Sequence, residues 1–423
     1  MIGRHLHTMQ CRPIIYEPGN GHISKGEQSM GKYDELFYEF QPEETHWGDW
    51  IHSPQAYFRG SKDIPGANLN CGFQVIVKEV ELEKEPHFHR EEEYLFFMGA
   101  TFPDVFSSWD AEVEFYLGES LNAMERITIT EPTCVRLPAG MWHSPLTFKR
   151  VTKPVFFQAA LQHGSFGTVK QVTTETGGKL FVYSGDECRP CVKDAAKECS
   201  FCGACFKEAP AVQPYWTVSG DLTEKHKDLV LALVKEETEW GDWCPSPQTY
   251  FRGQTYMKDA QYHVGFQVFA LDNDMEGAHF HQGRDEYIFF LGADPMNIFD
   301  FECDIDFAIG EHPDHMEHHH ITKPAVVRIP PNMWHCPILF RNMKKPLIFQ
   351  AAWQHGVWGT INRMQTKSGE WLYPYTGDNV RYCKYHPERL CTICGRCFKH
   401  AVAKGVEDGE DLTIEKHPFI PDV

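Results

Sequence analysis

Two groups of residues in this chain have the composition and spacing of metal-ion ligands. Each group has three histidines and one glutamate; the histidines recur 192 residues later and the glutamate 193 residues later: His87, His89, Glu93 and His143, then His279, His281, Glu286 and His335. Imidazole and carboxylate side chains bind divalent transition metals, and four protein ligands leave positions open for a substrate. The spacing therefore predicts one divalent ion, Fe, Mn or Zn, in each half of the chain.

The local sequence predicts how these side chains are positioned. Residues two apart on a β-strand point to the same side, so His87 and His89 face one way. The last histidine of each group follows a Pro-containing segment that begins at Pro138 or Pro330. Residues so far apart in sequence converge inside a β-barrel. The alternative is a barrel that has lost metal binding and keeps these residues only as interior polar groups. It is disfavoured because both copies retain all four ligands.

The similarity of the two halves extends well beyond the ligands. Trp47-Gly-Asp-Trp50 recurs as Trp240-Gly-Asp-Trp243, and Phe157-Gln-Ala-Ala160 recurs as Phe349-Gln-Ala-Ala352. Two copies of about 190 residues are each long enough to bury a core of their own. The chain is therefore predicted to contain two homologous domains.

The His-x-His, Glu and Pro-x-x-x-x-His pattern resembles the cupin superfamily, and its duplication resembles a bicupin. The resemblance implies an all-β fold in which two double-stranded β-helix (jelly-roll) barrels pair within one chain. It also implies a metal-dependent enzyme. Segment boundaries are predicted as an N-terminal extension (1–29), a first barrel (30–187), a first Cys cluster (188–215), a linker with a helix over Glu224–Glu237 (216–238), a second barrel (239–379), and a second Cys cluster with the C-terminal tail (380–423).

Charge and hydropathy exclude several classes of partner. The net charge of −19 disfavours nucleic acid and anionic membranes, which bind proteins rich in Lys and Arg. No run of about 18 apolar residues is present, and the N-terminus lacks an apolar signal-peptide core. We therefore expect a cytoplasmic protein that acts on a small molecule; a homo-oligomer is compatible with this composition.

Each repeat ends in four cysteines with the spacing C-x7-C-x2-C-x2-C: Cys191, Cys199, Cys202 and Cys205, then Cys383, Cys391, Cys394 and Cys397. In a reducing compartment such spacing favours a bound metal over disulfides. The tight run of three resembles bacterial ferredoxins, although the fourth cysteine of those proteins is replaced by Ala209 and Ala401. An iron–sulfur cluster, zinc and unmetallated thiols all remain open.

Several other polar residues are candidates for the substrate pocket. Arg59 and Arg252 occupy matching Tyr-Phe-Arg-Gly contexts and could clamp a carboxylate or form an ion pair. Four glutamines share strand parity within their repeats and could line either the pocket or the outer sheet face: Gln158, Gln162, Gln350 and Gln354. Tyr94 and Tyr287 follow ligand glutamates, so alternation turns them away from the metal. Five histidines of the second repeat are placed in a polar loop: His312, His315, His318, His319 and His320.

Three functions are compatible with these residues. The first is an oxidoreductase, such as a dioxygenase, whose ion binds a chelating substrate of small polar or aromatic type and O2. The second is a lyase, isomerase, decarboxylase or hydrolase in which the ion acts as a Lewis acid. The third is a binding or redox-sensing protein. The cysteine clusters slightly favour the oxidoreductase, because iron bound beside each barrel would suit redox chemistry.

Overall fold

The structure is a computed structural model that describes residues 31–44, 47–174, 178–187, 210–212, 216–238, 240–365, 371–373 and 375–378. Within these residues the regular elements are β-strands and short 3₁₀ turns, so the predicted all-β fold is confirmed. No helix in this part of the chain is long and apolar enough to cross a membrane.

The strands of the first repeat and the following connection are β1 (Phe37–Glu39), β2 (Ala56–Arg59), β3 (Asn70–Ile76), β4 (Val80–Glu83), β5 (Glu93–Gly99), β6 (Ala111–Gly118), β7 (Met124–Ile129), β8 (Thr133–Leu137), β9 (Trp142–Val151), β10 (Val155–Leu161), β11 (Gly167–Thr174), β12 (Lys179–Gly185), β13 (Pro210–Val212), β14 (Val218–Asp221) and β15 (Val230–Ala232).

The strands of the second repeat are β16 (Lys235–Glu236), β17 (Gln248–Phe251), β18 (His263–Phe269), β19 (Asn273–Met275), β20 (His279–Phe280), β21 (Glu286–Gly292), β22 (Asp304–Gly310), β23 (Glu317–Ile321), β24 (Ala325–Ile329), β25 (Trp334–Arg341), β26 (Leu347–Trp353), β27 (Gly359–Asn362), β28 (Met364–Gln365), β29 (Trp371–Leu372) and β30 (Tyr375–Gly377). The 3₁₀ turns are Asp34–Leu36, Gly60–Lys62, Lys227–Leu229, Gly253–Thr255 and Pro295–Asn297.

Each barrel consists of two facing sheets. In the first barrel the sheet β15-β8-β5-β10-β3-β2 faces the sheet β14-β7-β6-β9-β4. In the second barrel the sheet β1-β24-β21-β26-β18-β17-β16 faces β23-β22-β25-β20-β27-β30, with β19 paired to β25. The two barrels therefore have the double-sheet architecture that the cupin resemblance implied.

The central strands of the first-named sheet of each barrel are buried on both faces. All seven residues of β5 are buried, as are all seven of β21. On β5, Leu95 and Phe97 pack inside the first barrel, whereas Tyr94 and Phe96 join a core cluster that includes Phe251 and Phe266 of the second barrel. These strands thus read as continuous apolar runs because one face lines a barrel and the other lines the contact between barrels.

The repeats exchange their first strands. β1, at the start of the first repeat, pairs with β24 of the second barrel, and β15, its counterpart, pairs with β8 of the first barrel. Each barrel is therefore completed by a strand from the other repeat.

The helix predicted over Glu224–Glu237 is wrong. This segment contains one 3₁₀ turn followed by β15 and β16. Its apolar residues Leu229, Leu231 and Leu233 are two apart, which is the strand period, and the edge of β8 offers the hydrogen-bonding partners for a strand.

The contact between barrels is built around a pseudo-twofold axis. Gln158 and Gln350, which are counterparts, exchange amide hydrogen bonds of 3.2 and 2.9 Å in a fully buried position. The Tyr94 hydroxyl accepts a 2.8 Å hydrogen bond from the Gln261 backbone N–H, and the Tyr287 hydroxyl accepts one of 2.7 Å from the Asn68 N–H. The predicted turn of both tyrosines away from the ligand side is confirmed.

The buried glutamine pair gives a test of this contact. Gln158→Leu should lower the free energy of unfolding by about 1–3 kcal/mol, because it leaves the Gln350 amide buried without its partner. The double variant Gln158→Leu, Gln350→Leu should lose less than the sum of the two single variants, since neither amide is then orphaned. Chemical denaturation of all four proteins measures this. Strictly additive losses would contradict the pairing.

Candidate metal centres

The backbone of each barrel brings the ligand histidines together from separate strands. In the first barrel His87 and His143 form a β-bridge, exchanging backbone hydrogen bonds of 3.0 and 2.8 Å. Glu93 opens β5 on the facing sheet. In the second barrel His279 of β20 is the register partner of His335 of β25. The alternation and the duplicated spacing thus produce the same arrangement twice.

The ligand atoms of the first barrel converge at its centre. Nε2 of His89 lies 3.3 Å from Oε2 of Glu93, and Nε2 of His143 lies 3.6 Å from the same oxygen. The ligand atoms of His87, His89 and His143 lie within 4.8 Å of one another, and all four residues are buried. Three nitrogens and one oxygen in so small a volume can hold one divalent ion.

The second barrel repeats this geometry closely. Oε2 of Glu286 lies 3.1 Å from Nε2 of His281 and 3.2 Å from Nε2 of His335. The rings of His279 and His335 are 4.3 Å apart between centroids, the same separation as for His87 and His143. Both barrels therefore contain a His-rich site able to hold a divalent metal.

The ring of each ligand histidine is oriented by a hydrogen bond at Nδ1, the nitrogen that does not face the metal site. All six Nδ1 atoms lie 2.7–3.2 Å from backbone carbonyl oxygens, those of Glu85, Gly167, Met141, Gly277, Gly359 and Met333. A carbonyl only accepts, so Nδ1 carries the proton and the Nε2 lone pair is left free in the neutral ring. This arrangement orients metal-binding histidines in proteins.

Burial and neighbouring charges keep several of these groups in the form that binds a cation. Burial, together with the neighbouring His89, lowers the pKa of His87 to about 4, and burial holds the pKa of His143 and His279 well below their usual range. For Glu286, burial acts to raise the pKa, but contacts with His281 and His335 outweigh it and hold that pKa well below the usual carboxyl range.

Two buried atoms of the second site lack a hydrogen-bond partner within the described residues. These are Oε2 of Glu286 and Nε2 of His335. They lie 3.2 Å apart, but with the proton on Nδ1 the ring Nε2 carries no hydrogen, so two acceptors face each other. A buried orphan donor or acceptor is costly, and a shared cation would satisfy both atoms.

Glu276 was not identified from the sequence. Its Oε2 lies 3.4 Å from Nε2 of His279. The first repeat has Lys84 at the same position, and the preceding Glu83 has a carboxyl whose pKa is raised by burial and by the Glu93 charge. The side chain is 41% exposed overall, but its carboxyl end turns to the buried site. Burial of that end and the Glu286 charge raise its pKa to about 7. The ligand motif does not include it, so no spacing rule could have singled it out.

The predicted pocket arginines are engaged in ion pairs. Arg59 binds Glu43 through both terminal nitrogens at 2.5 Å, and Arg252 binds Glu236 at 2.6 Å through Nη2. The ion-pair alternative therefore describes both residues better than an open carboxylate clamp.

The four predicted glutamines face the other barrel and not the metal sites. Gln158 and Gln350 bind each other, and Gln354 Nε2 donates to Gln162 Oε1 at 3.1 Å. On β10 their parity is that of the interface cluster, opposite to Phe157 inside the barrel. They serve the contact between barrels, so their proposed role in substrate binding does not fit this placement.

The remaining candidates are the histidines of the second repeat and the cysteines. His318, His319 and His320 belong to β23, so the predicted loop is wrong for these three. They alternate along the strand, with His319 packed on Phe37 at 4.1 Å between ring centroids.

Cys336 is buried, with Sγ within 4.8 Å of ligand atoms of His279 and His335. The eight cysteines of the two terminal clusters lie outside the described residues.

Comparison with known proteins adds structural neighbours. No protein-family model and no curated protein sequence matches the chain. Several solved structures of oxalate decarboxylase from Bacillus subtilis are similar to it. A deletion variant is 11% identical with a TM-score of 0.46, covering 84% of this chain and 82% of that one. A structure from a study of the Mn(II) centres of that enzyme is 12% identical with a TM-score of 0.47 over the same shares. The sites are therefore assigned from this chain's own residues.

Metal content tests the two sites separately. His87→Ala and His279→Ala should each lower the content by about one equivalent, because losing one imidazole opens the coordination sphere. The double variant should lose both barrel ions. Elemental analysis of the purified proteins, with Gln158→Leu as a control distant from the ligands, measures this. Full metal content in the double variant would show that the ligands are wrongly assigned.

Proposed function

We propose that the protein is a metal-dependent bicupin enzyme acting on a small polar or aromatic molecule that binds a barrel ion through oxygen atoms. The observation that carries this proposal is the convergence of Glu286 with the three clamped histidines of its barrel. These ligand atoms converge inside the barrel, and the carbonyl beside each Nδ1 favours the tautomer that leaves Nε2 free to bind a metal.

His279, His281, Glu286 and His335 would hold the ion in one barrel, and His87, His89, Glu93 and His143 in the other. When bound, the divalent ion would act as a Lewis acid that polarises a substrate oxygen. The chain's own part is to orient the ligands and to exclude water, since all eight side chains are buried. A dry site strengthens each charge interaction within it.

The position of Glu276 favours non-redox chemistry. Lyases, isomerases, decarboxylases and hydrolases all need a group that delivers or removes a proton beside the polarised atom. The Glu276 carboxyl lies 3.4 Å from the metal-facing nitrogen of His279 and is not one of the ligands repeated in the first barrel. It can therefore hold a proton next to the substrate without being needed to bind the ion.

Oxygen-dependent oxidation is the second candidate function. A six-coordinate ion with three imidazoles and one carboxylate keeps two positions open, enough for a chelating substrate or for substrate and O2 together. An oxidoreductase would use iron in the barrels and would consume O2 in step with its substrate. The two candidates therefore differ in their need for oxygen.

The non-redox proposal predicts turnover without oxygen and a dependence on Glu276. Proteins loaded with Mn(II) or Zn(II) are incubated anaerobically with oxalate, malonate, 2-hydroxy acids and catechol, and products are followed by NMR. We expect turnover of at least one carboxylate. Glu276→Gln should then lower kcat by about 100-fold through loss of proton transfer, with metal content unchanged.

Lys84→Gln, at the matching position of the first barrel, is the control and should keep kcat within about twofold of the parent. Turnover that occurs only with Fe(II) and O2 would support the oxidoreductase instead. A Glu276→Gln protein that loses its ion would make Glu276 a ligand and remove its assignment as the proton-transfer group.

We also propose a metal at each terminal cysteine cluster, either an iron–sulfur cluster or zinc. The support is the repeated spacing alone, with four thiols in each copy. Cys199→Ser should lower iron with sulfide, or zinc, by one site and lower the melting temperature. A double Cys199→Ser, Cys391→Ser protein with unchanged metal content and melting temperature would contradict this.

A further inference from the structure

The two metal sites differ in the row of side chains beside the ligand glutamate. In the second barrel Glu286, Trp353 and His263 are register partners on the adjacent strands β21, β26 and β18. In the first barrel the same row reads Glu93, Leu161 and Asn70. Adjacent strands lie about 4.8 Å apart, so these side chains stand next to one another on the interior face.

The parity of β26 places Trp353 on the inside of the second barrel. On β26, Leu347 and Phe349 share the parity of Trp353 and pack in the interior cluster, whereas Ile348 and Ala352 join the contact between barrels. The Trp353 ring lies 4.8 Å from the ring of the ligand His281. It is therefore a wall of the metal site.

The polar atoms of this wall are not paired within the described part of the chain. Nε1 of Trp353 and Nδ1 of His263 are buried and have no hydrogen-bond partner there. Trp353 is 5% exposed and His263 is 7% exposed. A buried indole N–H normally finds an acceptor. An unpaired indole N–H and an unpaired imidazole nitrogen beside the unpaired ligand atoms therefore indicate a place for a polar ligand.

The first barrel offers no such wall. Leu161 has no polar atom, and the Asn70 side-chain amide already donates to the His163 carbonyl at 2.8 Å. Lys170 of the first repeat is partly exposed and forms an ion pair with Glu85 at 3.4 Å. The two barrels therefore share the ligands but not the surroundings that would recognise a substrate.

We propose that the second barrel is the substrate-binding barrel, and that Trp353 and His263 are its specificity residues, which hold a small carboxylate or similar oxygen-rich ligand against the barrel ion. The Trp353 N–H donates to a ligand oxygen, and His263 makes a second hydrogen bond from the neighbouring strand. This inference rests on the proposed function, because it takes the ion of the second barrel as given.

The test isolates each barrel in turn. His87→Ala protein keeps only the second barrel site, and His279→Ala protein keeps only the first. Both are loaded with Co(II), whose visible spectrum responds to new ligands, and are titrated with oxalate as the smallest chelating dicarboxylate. We expect oxalate to bind the His87→Ala protein at least about tenfold more tightly than the His279→Ala protein.

Variants in the His87→Ala background then test the wall. Trp353→Phe keeps the ring and removes the N–H, and should raise the Kd for oxalate by about three- to tenfold, as expected for one hydrogen bond. His263→Asn installs the residue of the first barrel and should also weaken binding. Leu161→Phe in the His279→Ala background is the matched control and should leave its Kd unchanged. Cobalt stoichiometry and circular dichroism confirm that each variant is folded and loaded.

The outcomes separate this inference from the proposed function. If neither barrel takes up Co(II), the metal-dependent function itself fails, and the inference fails with it. If both barrels load but bind oxalate equally, or neither binds it, only the inference is overturned. It is also overturned if Trp353→Phe and His263→Asn leave the Kd of the second barrel unchanged.

Discussion

Strand alternation in sheets with two buried faces is the constraint on which this structure depends. On β5 and β21 one parity supplies a metal ligand and the interior core, and the other supplies the contact with the opposite barrel. Glu93 and Tyr94 are adjacent in sequence and serve these two purposes. A shift of one residue in register would place the carboxylate between the barrels and the tyrosine inside, so site and interface must be specified together.

The same constraint explains how much could be predicted from the sequence. The duplicated ligands and the direction of Tyr94 follow from a period of two, and both histidine groups converge as this period requires. The four glutamines could not be placed from sequence, because parity assigns them to a common face but not to the inner or the outer one. The helix expected in the linker is a strand because its apolar residues are two apart and the edge of β8 provides hydrogen-bonding partners.

The residues that the sequence did not reveal are those that distinguish the two copies. Trp353 occupies the position of Leu161 in the first repeat, and Glu276 occupies that of Lys84, which follows Glu83, whose carboxyl pKa is raised by burial. A search for repeated motifs selects what the copies share and therefore passes over such positions. Their significance depends on three-dimensional neighbours, such as the 3.4 Å approach of Glu276 to His279 and the 4.8 Å approach of Trp353 to His281.

The exchanged strands make each barrel depend on the other repeat. β1 completes a sheet of the second barrel and β15 completes a sheet of the first, so neither barrel has its full sheet without the other repeat. Tyr94 follows the ligand Glu93, and its hydroxyl accepts a hydrogen bond from the backbone N–H of Gln261, two residues before His263. The backbone near each site is thus in contact with the opposite barrel. Residues that face only one interior, such as Trp353 and Leu161, are free of this mutual support and can differ between the barrels without disturbing the contact.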